Sequence, residues 1–321
     1  MKKVLALMSA LVIAITSLVG GVSGPINASG KNMKAAFELI SDTHIDCDEL
    51  VVQNLVKEGI QDIKDAECKI NGVVVAGDIT NYGDAKSLDT FYSIMKGVCT
   101  GKRLIAAAGN HDIGHAEERG LTNSTARKNF INKFNKFSGR KTDKIYYSAT
   151  IDGYTFIVLS DESKDNWDSL TLSKTQLNFL DAQLKKYSKS KKPVFVVCHW
   201  PTSDPHGLKT VDEDIILDEA LSKKIHNILK KYNNVFYISG HAHTGVNGEF
   251  TKENFSVKYV SRLNGVTYVN LPTFGLVNRY GTPWPCTGVH LEVYSDKVVL
   301  RPRNYSTGKW IADYNVTVKL K

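Results

Sequence analysis

The run Val73-Val74-Val75-Ala76-Gly77-Asp78-Ile79-Thr80-Asn81-Tyr82-Gly83 opens with four apolar residues and stops abruptly at a glycine and an aspartate. Four apolar residues between turn signals suit a strand covered on both faces, and the polar pair marks where the chain leaves the sheet. The same pattern recurs on either side. Phe37–Ile40 stops at Ser41-Asp42, Leu104–Ala107 precedes Gly109-Asn110, Val194–Cys198 runs into His199, and Val235–Ile238 precedes Gly240-His241.

Helical patterns fill the intervals. Leu50, Leu55, Val56, Ile60 and Ile63 mark one apolar face, and Leu177, Leu180, Leu184 and Tyr187 mark another at spacings of three and four. Ser173 with Gln176 three residues on reads as a capping box for the second of these. Further helices are expected over Ala126–Phe137 and Asp218–Tyr232. Strands alternating with helices predict an α/β domain with parallel pairing. The stretch 245–321 differs, with short strands, turns and many aromatics, and reads as antiparallel strands completing a second sheet. No linker, repeat or low-complexity tract divides the chain, so one domain is expected.

The polar residues fall at the strand ends, where open α/β sheets place their sites. They are Asp42-Thr43-His44, Gly77-Asp78, Gly109-Asn110-His111-Asp112, His199 and Gly240-His241-Ala242-His243, which take five of the nine histidines. Singly, each reads as a turn or as a hydrogen-bonded structural histidine. Together they make a metal site the better reading, because burying so many imidazoles and carboxylates without a cation carries a heavy desolvation cost. Neutral imidazoles mixed with carboxylates and one amide suit Mn, Fe, Zn or Ni better than Ca or Mg.

Asp-x-His, Gly-Asp, Gly-Asn-His-Asp, a lone His and Gly-His-x-His, in this order over Phe37 to His243, resemble the calcineurin-like metallophosphoesterases. The resemblance implies a four-layered α/β/β/α sandwich holding two divalent transition-metal ions. It assigns Asp42, His44 and His243 to one ion, Asn110, His199 and His241 to the other, and Asp78 to both. A hydroxide between the ions would attack the phosphate ester, and His111, not itself a ligand, would contact the phosphoryl group and protonate the leaving oxygen. His44 and the spacing of Tyr82 depart from the purple acid phosphatases, and Asn81 stands where the protein phosphatases carry an acid. The pattern is more similar to the class III cyclic-nucleotide phosphodiesterase branch. His115, His206, Trp200-Pro201 and the aromatic loop Phe274–Trp284 are candidates for the rim or wall of the pocket.

Composition sets the surroundings. Lys2 and Lys3 followed by the apolar stretch Val4–Val19 and small residues to Gly30 read as a secretory signal peptide, short for a spanning helix, with an uncleaved anchor as the alternative. Val22-Ser23-Gly24 and Ile26-Asn27-Ala28 both read as cleavage ends. The boundary is placed after residue 28, leaving 29–321 as one domain with 244–321 as its closing strands. Loss of Lys2 and Lys3 takes the formal charge from +8 to +6, which favours anionic surroundings such as phosphorylated substrates. Five scattered cysteines without a C-x-x-C pair argue against a disulfide framework. No basic stripe with interleaved aromatics suggests a nucleic-acid partner, and no G-x-S-x-G elbow suggests a serine hydrolase. The expected function is a secreted phosphoesterase, with diesters favoured. A phosphomonoesterase and a catalytically silent metal-containing binding module are the alternatives.

Overall fold

The computed structural model describes residues 23–99, 101–163, 169–203, 218–247, 258–279 and 283–321. In chain order the first half contains β1 (Ala35–Ile40), α1 (Leu50–Lys64), β2 (Gly72–Ala76), α2 (Ala85–Met95), β3 (Leu104–Ala107), α3 (Asn110–Ile113) and α4 (Asn123–Ser138). Then follow β4 (Tyr147–Ile151), β5 (Tyr154–Val158), α5 (Lys174–Tyr187), β6 (Val194–Val197), α6 (Glu219–Leu229) and β7 (Val235–Ser239). The closing strands are β8 (Val260–Leu263), β9 (Val266–Asn270), β10 (Thr287–Val293), β11 (Lys297–Asn304), β12 (Lys309–Trp310) and β13 (Val316–Lys319).

All five apolar runs are strands, and every residue in them is buried. They divide between two sheets. The first runs β12-β11-β10-β1-β2-β3, with β13 also on β11, and the second runs β4-β5-β6-β7-β9-β8. Within them β1, β2 and β3 are parallel, as are β5, β6, β7 and β9. Phe37 of β1 packs edge-on against Phe156 of β5 at 5.0 Å and lies 6.2 Å from Phe195 of β6, which sets the two sheets face to face. Helix α1 contacts α2, and α2 contacts α4, outside the first sheet; α5 covers β5 and contacts α6 outside the second. The result is the expected α/β/β/α sandwich, with the ligand-bearing ends of both sheets at one edge.

Local differences have physical causes. Leu50 and Val51 are exposed, and the buried face of α1 is carried by Val52, Val56, Ile60 and Ile63. Ser173 caps α5 by accepting the Gln176 N–H at 3.2 Å, but the Gln176 side chain does not close the box. It pairs with both backbone groups of Ser160 at 3.0 Å, tying the helix to the end of β5. The closing strands serve both sheets: β9 pairs parallel with β7, while β10 pairs antiparallel with β1 at the centre of the first. All five cysteines are unbridged.

Residues 23–30 form a strap across β10, β11 and the end of α1. Ile26 is fully buried, and its carbonyl accepts from the Glu67 N–H. The Gly24 and Asn27 carbonyls accept from Arg303 and Arg301, and Ser29 N–H donates to Glu292. A boundary after residue 28 therefore falls inside a segment that packs as a unit. The apolar leader lies outside the described residues, among which no helix is long and apolar enough to cross a membrane.

Candidate metal centre

Parallel pairing carries the motifs to one edge. The β1–β2 ladder continues past both strands through Asp42 N–H to Gly77 O at 3.0 Å and His44 N–H to Asp78 O at 3.0 Å. Gly240 N–H donates to His199 O at 2.9 Å in the second sheet, and His241 N–H to Asp42 Oδ1 at 3.2 Å links the two sheets.

The local backbone is strained. Ten non-glycine residues among those described have positive φ, and five of them are Asp42, His44, Asp78, His241 and His243. Each such residue costs about 1 kcal/mol or more, so the strain is concentrated where the side chains must converge. Gly77, at φ +95°, is required twice over, because a Cβ there would also lie 2.5 Å from the His199 ring.

All seven expected ligands are brought together. Asp42, His44, Asp78 and His243 each place one donor atom within 4.8 Å of the others, and so do Asp78, His199 and His241. Asp78 belongs to both groups: its Oδ2 lies 3.7 Å from His44 Nε2 and 3.1 Å from His199 Nε2. Asn110 Oδ1 joins the second group, 3.0 Å from His199 Nε2 and 3.1 Å from His241 Nδ1. In the first, His44 Nε2 faces His243 Nε2 at 3.2 Å and Asp42 Oδ1 is 3.1 Å from His243 Nε2.

The electrostatics fit cations. Burial lowers the pKa of His44 to about 4 and of His241 to about 3, so both rings offer lone pairs. His199 is also buried, but the Asp78 carboxylate outweighs that and raises it to about 9. Its Nδ1–H donates to Ala76 O at 2.8 Å, which points Nε2 at the centre. Burial works against ionisation of Asp42 and Asp78, yet the histidines around them hold both carboxyls below the usual range. His241 turns Nδ1 into the second group, beside Asn110 Oδ1, which makes that nitrogen its candidate donor atom. Two carboxylates, four imidazoles and one amide in two groups sharing Asp78 suit two divalent transition-metal ions.

His111 stands beside this set. Its N–H donates to Asp78 Oδ1 at 2.9 Å, and its Nδ1–H donates to Asn81 O at 3.0 Å, leaving Nε2 for a substrate. Burial lowers its pKa to about 3, so the ring is neutral.

Several residues around the candidate ligands support them without offering a donor of their own. Asn81 turns its carbonyl to His111 and its side-chain oxygen to His44 Nδ1 at 2.9 Å. Asp112 accepts from Gly109 N, Ile79 N, Thr80 N and Thr80 Oγ1, clamping the second and third ligand loops together. The described part of the aromatic loop backs the ligands rather than capping them. Phe274, Gly275 and Arg279 donate backbone N–H groups to Ser41, Asp42 and His243 carbonyls, and Phe274 is fully buried. Trp200 is likewise buried, edge-on to His199 at 5.2 Å. His115 stacks on His111, whereas His206 lies outside the described residues. Tyr82 packs under the Arg119 guanidinium at 5.0 Å, and Arg119 also neutralises Asp46 and Asp48, a third acidic grouping nearby.

The profile of the calcineurin-like phosphoesterases matches residues 37–245. A dimetal phosphatase from Danio rerio superposes with a TM-score of 0.60 at 15% identity, over 90% of this chain and 100% of that one. A putative 5'-nucleotidase from Staphylococcus aureus superposes with a TM-score of 0.48 at 12% identity, over 89% of this chain and 54% of that one. No curated protein matches the sequence.

Proposed function

This chain belongs to the calcineurin-like phosphoesterase family and is a metal-dependent phosphoric ester hydrolase, and we propose that its substrates are phosphodiesters met outside the cytoplasm. The observation that carries the hydrolase reading is Asp78, one carboxylate facing both halves of the donor set. When bound, two ions held this way supply Lewis-acid stabilisation of the phosphoryl oxygens and acidify the attacking water.

The chain's own residues do the rest. His111 enters neutral, with Nδ1–H committed to Asn81, so only Nε2 can exchange a proton with substrate. A phosphoryl anion beside Nε2 favours its protonation, so the proton for the leaving oxygen is taken up with the substrate. Strained ligand backbones clamped by Asp112 hold the geometry before substrate arrives.

The diester preference is supported by charge. A monoester dianion carries one more negative charge than a diester and calls for an extra cation. Arg119 is already paired with Asp46 and Asp48, and Arg127 with Asp161 and the Ser163 carbonyl. At position 81 the neutral asparagine and its carbonyl serve the two histidines. The test compares bis(p-nitrophenyl) phosphate with p-nitrophenyl phosphate on Mn²⁺-loaded protein. Faster diester turnover is expected, and a clear monoester preference would make the protein a phosphatase instead.

Export is supported by the basic and apolar leader, and processing before Gly24 is supported by Ile26 and Asn27, which are bound into the fold. N-terminal sequencing of the exported protein is expected to start at or before Gly24. A start at Ser29 would contradict this placement, and absence of the protein from the exported fraction would contradict export.

A further inference from the structure

The reactive ring of the site is held by a second histidine that neither binds the ions nor carries a motif role. Helix α3 is a single turn, Asn110–Ile113, closed by the Gly114 N–H on the Asn110 carbonyl at 2.7 Å. The chain leaves the turn at Gly114, and His115 lies against His111. Their rings are stacked 4.0 Å apart with planes 7° from parallel. This is closer than the usual 4.5–7 Å between aromatic centroids and much nearer to a parallel overlay than other ring contacts of the site. The edge-on ring of His44, 4.6 Å away at 79°, meets the same imidazole. The Asn81 carbonyl holds Nδ1, and Asp78 Oδ1 holds the His111 N–H.

We propose that His115 is a positioning residue: by covering one face of the His111 imidazole it keeps Nδ1–H on the Asn81 carbonyl and Nε2 aimed at the leaving oxygen. Without it the ring can turn about its last side-chain bond, a broad and soft torsion, and water gains access to the Asn81 carbonyl. The ligands of both ions are untouched by such a change, because His111 is not among them. The proposal rests on the hydrolase reading for its kinetic consequences, but not for the orientation of the ring.

The test uses the full metal-loaded chain and two diesters: bis(p-nitrophenyl) phosphate, whose leaving group needs no proton, and an alkyl p-nitrobenzyl diester, whose alkoxide does. His115→Ala is expected to lower kcat for the alkoxide substrate about tenfold, a fraction of the roughly hundredfold that a fully misplaced reacting group can cost. KM, metal content and turnover of the activated diester should stay within about threefold of the parent, as a change confined to acid assistance requires. His115→Phe, which keeps a flat stacking ring, should restore the alkoxide rate. On the Zn²⁺-loaded protein, the ¹⁵N-bound Nδ1–H resonance of His111 should be sharp and slow to exchange in the parent, lost in His115→Ala and regained in His115→Phe. Equal loss on both diesters without rescue by Phe, or an unchanged His111 resonance in His115→Ala, would overturn the positioning role. Parent protein that hydrolyses neither diester would instead sink the hydrolase reading, and the resonance would still decide the positioning claim.

Discussion

Asp78 is the residue on which the most depends, because its carboxylate faces His44 on one side and His199 on the other while its second oxygen receives the His111 N–H. Asp78→Ala is expected to abolish turnover and to leave fewer than two ions per chain by elemental analysis. Full activity with both ions retained would remove the dinuclear reading. Asn81 separates two roles in one residue. Asn81→Ala deletes the oxygen that orients His44 but keeps the carbonyl that holds His111. Loss of such an outer hydrogen bond to a metal-binding histidine weakens affinity by about 10–100-fold, so activity should fall at limiting metal and recover at excess. Failure to recover would mean that the side chain acts in the reaction itself. Five of the seven candidate ligands were legible from the chain because each is the first strongly polar residue after an apolar run, and His44 and His243 follow two residues after Asp42 and His241. Asn81 was not, since half of its role is played by a backbone carbonyl that any residue possesses. Asp112 was seen only as the end of a motif. Its role as a clamp depends on amide groups from another loop, which no local pattern displays.

At the scale of the elements, the turns that follow β2 and β3 must pass each other closely. Gly109 has φ −103°, a value alanine adopts freely, yet a Cβ there would overlap the Asp78 carboxylate. Gly109→Ala is therefore expected to keep the fold, by circular dichroism, and lose metal and activity together. Undiminished metal content would mean that the two loops can separate without consequence. Strand positions and one helix cap, Ser173, were readable because apolar runs and short polar caps act locally. The destination of the closing strands was not. Whether a hairpin joins one sheet or the other is decided by long-range partners, here β1 for β10 and β7 for β9. The true face of α1 was also displaced, because Leu50 and Val51 sit at its exposed first turn.

Across the whole molecule, one buried charge network ties the strap, β1, β10 and β11 together. His290 Nδ1 is 2.6 Å from Glu38, whose other oxygen accepts from Tyr305; Glu292 is held by Arg301, Ser29 and Tyr294. Burial alone would raise the Glu292 carboxyl, but His290, Ser29 and Tyr294 outweigh it and hold it at about 2, below its ordinary 4.5. Its contribution to stability is therefore present above about 4.5 and lost as pH falls from there toward 2. His290 runs the other way. Burial would lower it, but Glu38 and its neighbours raise it well above 6.5, so its contribution is present below that value and lost as pH rises through the folded-state value. Thermal melts should show the network's largest contribution between about 4.5 and 6.5, and Glu292→Gln should flatten the acid limb relative to the parent. An identical acid limb in the variant would assign acid sensitivity elsewhere, for instance to the metal centre. The strap makes a parallel prediction. A chain starting at Ser29 loses the fully buried Ile26, worth about 2–3 kcal/mol, and should melt roughly 5 °C below one starting at Gly24. Equal melting temperatures would make the strap dispensable.

The place of β10 has a bearing on biogenesis. Residues 287–293 pair with β1 on one side and β11 on the other, so the middle of the first sheet is built from opposite ends of the polypeptide. A nascent chain has all seven ligands synthesised well before this strand exists, and domains with such non-local pairing fold slowly. Synthesis proceeds from the N-terminus, so the sheet that carries Asp42, Asp78 and Asn110 remains open at β1 until residues 287–293 emerge. Completion of the sheet beneath the candidate metal centre thus waits for β10. A chain crossing a membrane unfolded would acquire its ions on the far side, from whatever that compartment supplies.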